Sequence, residues 1–464
     1  MLSLCFNSVI ESLNPLDLGF LFALDFINNK NEIDRTMQHL KDYIFAETEN
    51  YRGWVAPEFR DLAMQFSRLQ NARSQQGGAA LAVYFQGQKV VDIYTGKKSP
   101  DEDWQADTLS VCYSTGKGVL ATLVHILVSQ GLVDYDTPIY LYWPEFAQNG
   151  KALMTLRHVL SHQSGLYDIR NLIADATEMA DWSHMLNVLA QAKPRFDVAS
   201  EAAYQPLTFG WLVGGILEKA TGRTLAELMQ QYLVEPLALD GAYFGVPAFE
   251  LSRVARPFKT SATLVQTDAS PTNKQTAKIQ SQTKSSKRSV SIFDKVIAWS
   301  GQNPQDFQDG MIPKGMKNFS FFSDTGLQAV IPAANGVFTA QSLARIYAML
   351  AQGGSWQGRQ LIQPEVFQQL SQVQYVKRDR VMPIPMHWRL GYHRVLSLGK
   401  RSQGFGHMGF NGSGAWCDPD RQLSFAYTHN FAAASLIGDY RLWGLSQEAI
   451  RCADLQLQGR KGWF

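Results

Sequence analysis

A chain of 464 residues with 45% hydrophobic side chains is long enough for one large domain or two ordinary ones, with a sizeable core. Its formal charge of +2 leaves no electrostatic footprint for nucleic acid or an anionic membrane, so neither partner is expected. The four cysteines, Cys5, Cys112, Cys417 and Cys452, form no C-x-x-C pair, which argues against a zinc site or a disulfide framework and leaves reduced thiols as the default.

Residues 1 to about 50 read as an extension of the main domain, 51–460, and Met37 offers an alternative start. The apolar patch Leu18–Leu24 follows Glu11 and Asp17 and precedes Asp25. A secretory signal begins with positive charge and a membrane span needs about 20 apolar residues, so the expected location is the cytoplasm. From Pro57 the spacing of Phe59, Leu62, Ala63, Phe66 and Leu69 predicts an amphipathic helix. Ala79–Phe85 and Lys89–Tyr94 are rich in β-formers and flank Gln86-Gly87-Gln88, which predicts a hairpin.

Next comes Ser114-Thr115-Gly116-Lys117. Positions i and i+3 share one helical turn, so if Ser114 opens a helix its Oγ lies beside the Lys117 amine, with unpaired N–H groups and partial positive charge around it. Such a serine also serves as a plain N-cap. The S-x-x-K spacing recurs at Ser281–Lys284 and Ser397–Lys400, but only after Lys117 do Val119, Leu120, Leu123, Val124, Leu127 and Val128 predict a helix with one buried face, ending at Gly131.

Asp134–Pro138 and Tyr142–Phe146 read as turns, Thr155 as the cap of a short helix through His162, Pro206 as a helix start reaching Gly222, and Thr224–Glu227 as a capping box. Residues 260–290, dominated by Ser, Thr, Gln and Lys, predict a flexible insertion; its Lys284–Arg288 run reads as a solvated loop. Order is expected again near Phe319. Thr339 caps a helix bearing Leu343, Ile346, Tyr347 and Leu350, late strands lie at Ala415–Cys417 and Leu423–Tyr427, and a last helix spans about Ala434–Leu455.

A reactive serine needs a base and an oxyanion hole. Tyr204, in the loop before the helix begun at Pro206, can present its hydroxyl; in His407-Met-Gly409, Gly409 permits close approach of a backbone N–H. His158 and His162 lack a third ligand, and Asp134 and Asp136 lack the loop glycine and terminal glutamate of a calcium site, so no metal or cofactor is expected. Tyr142, Trp143, Phe410 and Trp416 read as core, with an apolar acyl pocket as the alternative. No Gly-x-Ser-x-Gly elbow surrounds any serine.

In order, Ser114–Lys117, Asp134–Pro138, Leu156–Leu166, Tyr204 with Gly210–Gly214, Ala334-Asn-Gly336 and Gly406–Gly409 resemble the serine β-lactamase and penicillin-binding-protein superfamily, most nearly class C β-lactamases and family VIII carboxylesterases. The resemblance implies an α/β (α+β) fold in which an antiparallel sheet flanked by helices (about 57–112 and 319–455) sits beside an all-helical part (about 113–250), with the site between. It implies acylation of Ser114, proton transfer by Lys117 and Tyr204, and an oxyanion held by the N–H groups of Ser114 and Phe410. Two departures stand out: Tyr204-Gln-Pro206 replaces Tyr-x-Asn, and His407, mostly neutral at pH 7, replaces the lysine of Lys-Thr-Gly. Both remove affinity for an anionic amide, so a small carboxylic ester is the expected substrate. β-Lactamase or D,D-peptidase activity, acyl transfer to an alcohol, and a scaffold without chemistry are the alternatives.

Overall fold

The computed structural model of the protein describes residues 51–71, 77–258, 303–395, 403–431 and 439–461. The extension with Met37, Cys5 and the apolar patch, the insertion at 260–290 with its basic run, and the S-x-x-K stretches at Ser281 and Ser397 lie outside the described residues.

A strand that the sequence reading passed over, β1 (Arg52–Val55), precedes the expected helix α1 (Arg60–Asn71). Strands β2 (Gly78–Phe85) and β3 (Gln88–Gly96) form the expected hairpin. Its turn needs positive φ at both central positions, and Gln86 (51°) and Gly87 (78°) supply it. Strand β4 (Leu109–Val111) leads into α2 (Thr115–Ser129), and the helical part continues through α3 (Trp182–Gln191) and α4 (Thr208–Thr221). Short strands β5 (Ala242–Tyr243) and β6 (Val254–Ala255) follow.

Asn303 caps α5 (Pro304–Met311), a helix that lies before the expected return of order near Phe319. The Asn-Pro pair was a legible start signal, overlooked because it borders a low-complexity run. Then come β7 (Val337–Phe338), α6 (Ala340–Ala351), a two-stranded ribbon of β8 (Ser355–Trp356) and β9 (Arg359–Gln360), and α7 (Pro364–Ser371). Strands β10 (His393–Arg394), β11 (Phe405–Met408), β12 (Gly414–Asp418) and β13 (Leu423–His429) precede α8 (Tyr440–Lys461). That last helix begins six residues later than expected and runs past Leu455.

The main sheet is antiparallel, in the order β1-β3-β2-β13-β12-β11-β10. Its middle joins distant parts of the chain, with Ala82 opposite Ala426. Alternation sorts its faces. Leu81, Val83 and Phe85 with Leu423, Phe425 and Tyr427 pack under α1 and α8. Ala80, Ala82 and Ala426 face α6, and these small side chains let the helix approach until Ser424 Oγ donates to Ala344 O at 2.8 Å. A second sheet, β5-β7-β4-β6, braces the strand before Ser114. Its two- and three-residue strands are too short to carry a period-two signal.

The nucleophile helix α2 corrects one expectation, because every residue from Thr115 to Leu127 is buried rather than one face. It runs between the sheet layer and the helical layer, touching α4 on one side and β11 and α6 on the other. Its polar residues tolerate this because they have partners. Thr122 Oγ1 donates to Gly118 O (2.8 Å), and His125 bonds Tyr135 Oη (2.7 Å) and Leu390 O (3.0 Å). Among the described residues, no helix is long and apolar enough to cross a membrane.

Candidate active site

Ser114 sits where β4 turns into α2. The turn is made by Tyr113 at φ 47°, a left-handed conformation that costs an L-residue about 1–2 kcal/mol. Phe321, Phe322 and Phe410 clamp the Tyr113 ring edge-on at 6.0–6.3 Å and hold it there. Although it is the N-cap residue, the Ser114 side chain caps no backbone N–H of the helix. Its Oγ instead lies 2.8 Å from Tyr204 Oη and 3.1 Å from Lys117 Nζ. The three side chains singled out from sequence therefore meet at one atom.

The loop carrying Tyr204 is gripped from both sides. The turn after the short helix Leu156–Leu160 supplies His162, whose carbonyl accepts from Ala203 N (2.9 Å) and whose Nδ1 accepts from Gln205 N (3.3 Å). On the other side, Tyr204 N donates to Asp379 Oδ1 at 3.1 Å and Arg380 N to Ala202 O at 3.0 Å. The Tyr204 ring is stacked on Trp388, 5.4 Å away and tilted by only 7°. Burial pushes the phenol above its ordinary pKa. Lys117 does not offset this, because it is not held as a cation.

Lys117 is fully buried, and burial drives its amine well below the ordinary lysine range. Its Nζ donates to Pro206 O (2.7 Å) and Ala333 O (2.8 Å), and among the described residues no carboxylate pairs with it. Burying an ammonium costs several kcal/mol, and two carbonyls do not repay that as a counterion would. The neutral amine has two hydrogens and one lone pair. Two hydrogens serve the two carbonyls, which leaves the lone pair for the Ser114 hydroxyl. The Ala334-Asn335-Gly336 motif fixes one of those carbonyls: Asn335 bonds Ile331 N, Gly326 O and Ala329 O, closing the turn that presents Ala333. Gly116 is required beside it, since a Cβ there would lie 2.6 Å from Pro332 O.

His407, on β11, lines the same cleft and is stacked 6.1 Å from Tyr204. Its Nδ1 donates to Met408 O at 3.0 Å, which leaves Nε2 without a hydrogen and, among the described residues, without a partner. Burial holds its pKa well below the usual value, so it is neutral. Gly409 ends the strand against Cys112, where a Cβ would meet the Cys112 carbonyl at 2.4 Å. This close approach brings Phe410 to the mouth of the site, beside Ser114. Neither the Ser114 nor the Phe410 N–H has a hydrogen-bond partner among the described residues.

The cleft is open to solvent and offers ≈ 370 Å³ of space, with Met311, Met382, Met386, Trp388 and Phe410 among its walls. Of the four aromatics weighed as an acyl pocket, only Phe410 lines it; Trp143 and Trp416 are core and Tyr142 packs against the core. The methionines and Trp388 were missed because a lone thioether or indole in a loop carries no pattern. Asp379 was missed for the same reason. His158 closes the cap of its helix, with Nδ1 accepting from Thr155 N, and Asp136 pairs with Arg157 at 2.6 Å.

A family model described as Beta-lactamase matches residues 59–445. The "Esterase/beta-lactamase LipL" of Mycobacterium tuberculosis (strain ATCC 25618 / H37Rv) is 33% identical over 392 residues, 83% of this chain and 84% of that protein. A penicillin-binding-protein homolog from Caulobacter crescentus superposes with a TM-score of 0.71 at 31% identity, covering 87% of this chain and 99% of that one. A family VIII carboxylesterase superposes equally well, with a TM-score of 0.71 at 26% identity over 87% and 99% of the two chains. Since the family match spans most of the sequence and a one-third-identical relative follows it along most of its length, the chain belongs to the beta-lactamase family.

Proposed function

We propose that this member of the family is a serine hydrolase that cleaves small, uncharged carboxylic esters through an acyl-Ser114 intermediate. The observation that carries the reading is the pair of contacts at Ser114 Oγ, 2.8 Å to the Tyr204 hydroxyl and 3.1 Å to an amine kept neutral by burial. Lys117 takes the Ser114 proton as Oγ attacks the ester carbonyl carbon. The carbonyl oxygen becomes an oxyanion, received by the N–H groups of Ser114 and Phe410. Collapse breaks the ester C–O bond, and the leaving alkoxide takes a proton delivered through Lys117 and Tyr204, so the alcohol departs. Water then adds to the acyl carbon and gives up a proton to the same pair. The carboxylic acid leaves and the Ser114 hydroxyl is restored.

The substrate side of the reading rests on the cleft. Among the described residues its lining carries no lysine or arginine, and neutral His407 occupies the place of the expected cation. An anionic substrate would give up its hydration without gaining an ion pair. A second reading, β-lactam hydrolysis, draws on the name of the Mycobacterium tuberculosis relative.

Ser114→Ala is expected to lower p-nitrophenyl ester hydrolysis on the order of 10⁴-fold or more, with unchanged circular dichroism. Folded Ser114→Ala protein with full activity would sink the acyl-serine mechanism. Turnover of nitrocefin with a kcat/KM matching that of the ester would reverse the order of the two readings.

A further inference from the structure

The loop between α7 and β10 contains a buried carboxylate, Asp379, that the reaction steps above do not use. Four N–H groups converge on it. Its Oδ1 accepts from Tyr204 N (3.1 Å), Val381 N (2.8 Å) and Met382 N (2.8 Å), and its Oδ2 accepts from Trp388 Nε1 (2.9 Å). Each of these donors belongs to, or adjoins, a part of the site. Tyr204 touches Ser114, Met382 and Trp388 form the apolar wall, and Trp388 is stacked on the Tyr204 ring.

We propose that Asp379 is a positioning residue that fixes the Tyr204 hydroxyl and the Met382–Trp388 wall together, so that one anchor sets both the rate of acyl transfer and the choice of acyl group. The proposal rests on the ester-hydrolase reading. Its physical basis is the strength and direction of bonds to a carboxylate: burial raises the Asp379 pKa, and the four N–H donors oppose that rise by favouring the ionised form. Each N–H···O⁻ bond is shorter and roughly twice as strong as a neutral one, and four of them leave the loop little freedom. The anchor also ties distant segments, since Tyr204 precedes α4 whereas Met382 and Trp388 follow α7. A shift of about 1 Å in a group that must meet a reacting atom costs on the order of 100-fold in rate. A wall built from flexible methionines discriminates acyl chains only while its rigid member, the indole, stays in place.

Asparagine at this position separates the two roles. Its Oδ1 can keep the three backbone bonds, but its amide N–H₂ would face the Trp388 N–H, donor against donor. Asp379→Asn is therefore expected to release Trp388 while Tyr204 keeps its backbone contact. Measured on p-nitrophenyl acetate, butyrate and octanoate, the ratio of kcat/KM values across the series should change by about tenfold, the effect of one or two methylenes gained or lost in a fitted pocket. The pH profile supplies a second readout. The titratable or charged groups facing Tyr204 are Lys117 from α2, His162 from the turn after the helix Leu156–Leu160, His407 from β11 and Asp379 itself. Asp379 is the acidic member of that set, so its neutralisation favours loss of the tyrosine proton. The alkaline limb of kcat/KM should move to lower pH, which a merely structural role would not cause. Trp388→Phe keeps a ring against Tyr204 but removes the indole donor together with part of the wall, and is expected to alter the acyl ratio while leaving the alkaline limb in place.

A fluorophosphonate probe counts the folded, reactive Ser114 in every preparation, so loss of protein is not mistaken for loss of positioning. If Asp379→Asn keeps the wild-type acyl ratio and alkaline limb, the proposal is overturned. If Asp379→Asn does not fold, an unchanged acyl ratio in Trp388→Phe overturns it just as well. Should Ser114→Ala retain ester hydrolysis, the underlying reading fails instead, and this inference with it.

Discussion

At the scale of single residues, the pair Lys117 and Tyr204 shows how burial assigns roles that residue types leave open. Both side chains exchange protons near pH 10 in water, and the spacing of the motif does not say which one is the base. Desolvation moves them apart, the amine down and the phenol up, so each is neutral in the resting site. A lysine whose pKa is lower in the folded than in the unfolded state opposes folding below its folded pKa. Between that value and 10.5 the unfolded chain binds more protons, so the penalty shrinks as pH rises. Lys117→Met should therefore abolish ester hydrolysis, and the Tm gap between it and the wild type should move in favour of the wild type from pH 7 to pH 10. A pH-independent gap would show that the folded protein holds the Lys117 proton as firmly as the unfolded chain does, so that burial does not lower its pKa.

Among elements, α5 is the piece whose placement has the clearest consequence. It carries Met311 to the cleft, and acidic side chains hold it against the body. Asp306 accepts from Tyr167 Oη (2.5 Å) and pairs with Arg380 at 3.4 Å, while Asp309 lies 3.9 Å from Arg195. Asp306 is buried and the Arg380 side chain is open to solvent on one side, so the pair is worth on the order of 1 kcal/mol, enough to bias the seating of a two-turn helix but not the stability of the fold. Arg380→Gln should raise KM several-fold for p-nitrophenyl octanoate, reading out the Met311 wall, and leave kcat for the acetate ester nearly unchanged. Equal KM values for wild type and variant across the ester series would mean that α5 is seated without this pair. The sequence held only part of this element: Asn303-Pro304 marks its start, but nothing local says that its last residue faces Ser114.

For the whole molecule, the decisive feature is a sheet whose middle pairs β2 with β13, segments more than 300 residues apart. One face, under α1 and α8, belongs to stability; the other, toward α2 and α6, supports the site. Phe66 lies fully buried on the first face, edge-on to Tyr427 at 6.5 Å. Phe66→Ala should lower unfolding free energy in urea by about 3–5 kcal/mol, yet leave the KM of the folded fraction unchanged. A shifted KM would show that the two faces are coupled through the sheet.

The sequence by itself determined whatever depends on neighbours along the chain. The helical turn joining Ser114 to Lys117, the hairpin at Gln86-Gly87 and the capping box at Thr224 all follow from short-range sterics and hydrogen bonding. The ordered motifs also carried the family and the convergence of Ser114, Lys117 and Tyr204. What the sequence did not determine was environment. The burial of α2 on every side, the paired carbonyls that keep Lys117 neutral, the methionine wall and the Asp379 anchor each depend on segments brought together from afar. A residue's type fixes what it can donate or accept, whereas its pKa and its partners are set by the low-dielectric space that only the packed layers create.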